Sequence, residues 1–150
     1  MYKSFRLLLL QSLSFFTLIF LGKITFVLYH FNRFSELNLT DKIGIFTKGI
    51  RLDLSIVAYL AIIPFIFHIL FHFLKQNKNY LSLFNRVYHL ILCFIISCLI
   101  VTDLELYRTW GFRIDSTPLK YLSTPNEMLA SVGASPFYKL IPILIFFWVV

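Results

Sequence analysis

Two short stretches hold the side chains whose types and spacing could do chemistry. One reads Gly49-Ile50-Arg51-Leu52-Asp53-Leu54-Ser55; the other reads Asp103-Leu104-Glu105-Leu106-Tyr107-Arg108-Thr109-Trp110-Gly111-Phe112-Arg113-Ile114-Asp115. Each sets arginine among carboxylates beside a long apolar run. A guanidinium presents a planar fork that can donate two hydrogen bonds to a carboxylate or a phosphate. A charge left unpaired at the edge of a bilayer is expensive. The spacing therefore predicts that Arg51 or Arg113 meets Asp53, Asp103, Glu105 or Asp115.

A second set is weaker. His68 and His72 lie four apart, on one face of a helix, with His89 later in the chain. Such a pair could hold a metal or haem, but no carboxylate or cysteine stands in a suitable position beside it, so an interfacial, hydrogen-bonded role is expected. Cys93 and Cys98, five apart in one apolar block, read as reduced thiols, lipid-facing or packed.

The elements that must position these residues follow from composition. Of 150 residues 59% are hydrophobic and 14% charged, with mean hydropathy +0.80; a soluble chain has roughly 25% charged residues. The apolar residues come in long blocks, which read as spans. The net charge of +7 comes from 14 Lys and Arg, which flank the blocks, so membrane lipids are the expected partner and nucleic acid is excluded.

The fold class expected is all-α: a polytopic transmembrane helix bundle, with three complete spans over about 5–31, 54–74 and 84–105 and a truncated fourth over 136–150. Lys3 and Arg6 precede the first block, and no small-residue cleavage site follows it, so it reads as an uncleaved signal anchor. Lys23 within it is expected to snorkel to the far end. Thr40 is expected to cap an interfacial helix in the polar segment 32–53, and Pro64 to kink the second span. Lys75, Lys78 and Arg86 bracket a loop over 75–83. The segment 106–135 contains a capped element, with Thr124 as N-cap, Pro125 at N1, Glu127 at N3 and Gly133 as the stop. Ser135-Pro136 opens the fourth helix in the same manner, and only 11 apolar residues follow Lys139, so material is expected downstream. The two charged motifs start one span and end the next, which puts them on one side of the membrane. Tyr107, Trp110, Phe112 and Tyr121 suit the head-group zone beside them.

Those motifs also resemble a known family. The Gly49 to Ser55 entry with Tyr59 and Pro64, and above all Asp103 to Ser131, resemble the N-terminal membrane region of lipoteichoic acid synthase-like phosphoglycerol transferases. These are sulfatase-type members of the alkaline phosphatase superfamily, and the likeness is to a Bacteroidetes-like branch. The resemblance implies a multi-pass protein of the bacterial cytoplasmic membrane with its N-terminus inside. Counting Lys and Arg alone does not give that orientation. It further implies an extracytoplasmic catalytic domain, beyond these residues, that holds a divalent metal and a threonine nucleophile. None of the family's catalytic or metal-ligand positions falls within this chain, so no catalytic residue and no cofactor is assigned to it.

Two readings of Arg51, Asp53, Asp103, Glu105, Arg113 and Asp115 then stand. They form either a salt-bridge network that fixes helix ends, which is the plainer reading, or a surface where a lipid head group meets the catalytic domain. A function from another class is a small transporter or channel subunit in which Arg51, Asp53, Asp103 and Glu105 line a polar path.

Overall fold

The computed structural model describes residues 2–74, 78–114, 133 and 135–149. Every regular element among them is a helix: α1 (Tyr2–Tyr29), α2 (Phe31–Ser35), α3 (Leu39–Phe73), α4 (Lys78–Trp110) and α5 (Phe137–Val149). Three of these, α1, α3 and α4, are long and apolar enough to cross a membrane. Most of their large apolar side chains are exposed on the isolated chain, including Leu7, Leu13, Ile62, Phe65, Leu90 and Ile95. Hydrocarbon rather than water suits such surfaces, because in lipid the apolar residue belongs outside as well as inside.

The interfacial helix expected near Thr40 and the span expected from Leu54 are one unbroken helix of 35 residues, about 52 Å long. No residue between Asp41 and Ser55 breaks it: Gly44 and Gly49 are tolerated singly, and each backbone N–H keeps its partner four residues back. Its N-cap is Asn38, in extended conformation, and not Thr40. The segment 32–53 is thus mostly helix. The turn expected over 75–83 is shorter, since α4 begins at Lys78. The fourth helix starts directly after Pro136, as its Ser-Pro signal predicts. The element expected between Thr124 and Gly133 lies outside the described residues, apart from Gly133.

The chain forms two compact units, Met1–Phe94 and Ile95–Val150. In the first, α1 packs along α3 with Phe20 facing Phe46, and α4 closes the bundle through a stacked Phe67–Phe84 pair, ring centroids 4.0 Å apart. Phe15 and Leu18 are fully enclosed. In the second unit, Leu140 and Phe147 are the buried stripe of α5, two turns apart on one face.

Pro64 shows how polar groups are managed here. Proline has no N–H, so the carbonyl one turn earlier, that of Leu60, loses its helical donor. The Tyr88 hydroxyl of α4 donates to that oxygen at 2.7 Å. The Pro64 carbonyl in turn accepts from Nδ1 of His68 at 2.8 Å. That bond fixes the ring's tautomer, leaving Nε2 to accept from the Asn85 amide nitrogen at 3.4 Å. His68 is therefore a buried, hydrogen-bonded joint between α3 and α4. Replacing Tyr88 by Phe is expected to cost about 1 kcal/mol of bundle stability. In a Pro64→Ala background, where Leu60 regains its own donor, the same change should cost less than half as much. Unfolding of the four variants in detergent micelles gives the cycle, and equal costs in the two backgrounds would refute the account.

Candidate functional site

Asp53 is buried, and its carboxylate pairs with the ammonium of Lys23 from α1. The pairing follows from helix geometry. Side chains on a helix lean toward its N-terminus. Lys23 lies near the C-terminal end of α1, so its side chain leans back into the span and cannot extend to the nearer end. On the antiparallel α3, Asp53 leans the opposite way, and the two meet. Gly49, one turn before Asp53, leaves the room: a Cβ there would stand 2.6 Å from the Lys23 nitrogen. The snorkelling expected of Lys23 is thus replaced by an ion pair inside the protein, with side-chain exposures of 11% and 8%. At that burial the two charges must be matched within the bundle.

The second motif makes its own closed arrangement. Helix α4 ends at Trp110, where Gly111 takes φ 77° and its N–H returns to the Tyr107 carbonyl at 3.1 Å. Only glycine adopts this left-handed cap without strain. The reversal brings Arg113 and Ile114 back to Asp103. One carboxylate oxygen accepts from Nε of Arg113 at 3.0 Å and the other from the Ile114 backbone N–H at 2.8 Å. Glu105, also buried, accepts both Nε and a terminal nitrogen of Arg108. This i, i+3 pair escaped the expectation, although its spacing was readable.

Of the six candidate residues, then, Asp103 and Arg113 meet as expected. Asp53 and Glu105 are neutralised by Lys23 and Arg108, cations outside the expected set. Arg51 is exposed, and among the described residues it makes no ion pair with the candidate acids. Asp115 lies outside the described residues, as does Tyr121; Trp110 and Phe112 are ring neighbours, 5.6 Å apart.

Among the described residues no group of three or more His, Cys, Asp or Glu could hold an ion. Nε2 of His89 lies 3.4 Å from the Ser14 hydroxyl and 3.5 Å from Sγ of Cys93, beneath the Phe15 ring. Neither cysteine forms a disulfide with a described residue. Buried side-chain atoms without a hydrogen-bond partner include Gln11 Nε2, Asn85 Oδ1 and His89 Nδ1, each a cost to the bundle.

No family model matches the chain, and neither a curated protein nor a solved structure matches it. What the site does must be argued from its own residues.

Removing one partner of a buried pair strands the other charge. Lys23→Met and Asp53→Leu should each destabilise the bundle by about 3–5 kcal/mol, while the double variant recovers most of the loss. Additive single effects in a denaturation cycle would count against the pair. For the cap, Gly111→Val should cost about 1–2 kcal/mol and raise protease cleavage after Arg113; unchanged cleavage would separate Gly111 from the Asp103 closure.

Proposed function

We propose that the chain is the membrane-embedded, lipid-facing domain of an extracytoplasmic phosphoglycerol transferase or related sulfatase-like hydrolase. It anchors and positions a metal-dependent catalytic domain that acts on glycerophospholipid or a kindred phosphate or sulfate ester. The bundle sits in a bacterial cytoplasmic membrane with its N-terminus inside, and both charged motifs face the outside. The observation that carries the reading is the closure of Asp103 on Arg113 and Ile114. It folds the described start of the resemblance-bearing segment, 103–114, back onto the end of α4. A segment held this way suits the base of an exported domain.

The carboxylates also speak against a polar path through the bundle. Asp53, Asp103 and Glu105 are each engaged by a cation of the chain itself, so they offer little to a passing ion.

Full-length protein in membrane vesicles tests this directly. Single cysteines at Lys48 and Phe112 should react with an impermeant thiol reagent from one face, and one at Asn79 from the other. Vesicles given phosphatidylglycerol labelled in its head-group glycerol should release diacylglycerol in a divalent-metal-dependent way. Reaction of positions 48 and 112 from opposite faces, or solute uptake without lipid turnover, would reject the reading.

A further inference from the structure

Among the basic residues in the first half of α3, Lys48 and Arg51 differ from Lys42. Both are exposed, three residues apart on α3, and therefore neighbours on its surface. Positions three and four residues from either one hold Gly44, Ile45, Thr47, Leu52, Leu54 and Ser55 besides the pair itself. None of these is acidic. The hydroxyls of Thr47 and Ser55 are spent on their own helix, donating to the carbonyls of Ile43 and Arg51 at 3.0 and 3.1 Å. The nearest acid, Asp53, is held by Lys23. Lys42, by contrast, donates to the Ser35 carbonyl and lies over the Phe34 ring.

Depth completes the case. From Leu54 to Phe73, 20 residues of α3 carry no Asp, Glu, Lys or Arg, about 30 Å of helix and one hydrocarbon thickness. Arg51 and Lys48 lie about 4 and 9 Å beyond that run along the helix axis, so Arg51 falls in the head-group layer and Lys48 at its outer margin, from which a long side chain can reach back. The head-group layer is about 5–7 Å thick on each side. A fork and an ammonium are thus presented within reach of lipid phosphate, with no acidic partner found among the described residues.

We propose that Lys48 and Arg51 form a binding site for the phosphate of an anionic phospholipid, with Arg51 gripping two phosphate oxygens and Lys48 adding a point charge. Asp53, two residues on and so on a different side of α3, is taken up by Lys23 and leaves Arg51 to the lipid. The site rests on the membrane reading of the chain and is independent of the reaction class.

The test uses the whole chain in vesicles containing spin-labelled phosphatidylglycerol or spin-labelled phosphatidylcholine, with the motionally restricted lipid read by electron spin resonance. The unaltered chain should prefer phosphatidylglycerol. Lys48→Gln and Arg51→Gln should each lower that preference by about fivefold or to parity, and Lys42→Gln should leave it within about twofold. Arg51→Lys should retain part of it, because charge survives and the fork is lost. Millimolar inorganic phosphate should not displace the lipid. An undiminished preference in an inserted Lys48→Gln/Arg51→Gln chain would overturn the site, and full displacement by inorganic phosphate would reassign it to a free anion. Release of the unaltered chain from vesicles by alkaline carbonate would instead remove the membrane reading, and the site with it.

Discussion

A charge taken inside a helical bundle must find its opposite inside as well, and that requirement organises the first unit. Lys23 has no route outward, because the lean of helical side chains sends it toward the middle of α1. The fold answers with Asp53 on the antiparallel helix and with a glycine one turn away that clears the space. Register between α1 and α3 is thereby set. Apolar packing alone would set it loosely, since Leu, Ile and Phe repeat along both helices and lipid is as good a solvent for them as the neighbour is. An ion pair has one partner and one position.

The same logic extends to uncharged polar groups. A proline in a span frees a carbonyl, and in hydrocarbon no water can take it. Tyr88 does so, and the adjacent His68 and Asn85 turn the defect into a second fixed point, now between α3 and α4. The helices are thus held by a few polar contacts at defined levels, with aromatic stacking such as Phe67 on Phe84 between them. The satisfaction is incomplete at Gln11, Asn85 and His89, each of which keeps one buried atom without a partner.

Much of this was legible in the sequence, and what was not has physical causes. The all-helical architecture and the apolar spans follow from block length and charge exclusion, which need no knowledge of contacts. Arg113 meeting Asp103 followed from the expense of isolated charge at a boundary. Lys23 was misread because flexibility of a long side chain was weighed and its helical direction was not. Gly49 offered a signal, a small residue four before a buried acid, but its meaning depends on which helix passes there. Sequence order shows that α1 and α3 run antiparallel; it does not show which level of one faces which level of the other. Tyr88 as the proline's donor was hidden for that reason too. The continuity of α3 through the polar segment was missed because polarity was taken to mean loop, whereas a helix continues into the head-group layer wherever nothing stops it.

Insertion order gives the Lys23–Asp53 pair a further consequence. Helix α1 precedes α3 in the chain and enters the bilayer first, carrying Lys23 without its partner. A lysine near the end of a span costs less than the roughly 2.5–3.5 kcal/mol of one at the centre, a tolerable sum beside the gain from the apolar residues around it. That cost is recovered only when α3 arrives with Asp53, whose own entry near the charge-free run Leu54–Phe73 is eased by the waiting ammonium. Each helix is therefore less content alone than with the other, and association of α1 with α3 is driven by relief of two charges rather than by burial of apolar area. With those charges matched, Asp53 adds no negative field around Arg51, and the basic residues at the head of α3 face the lipid undiminished.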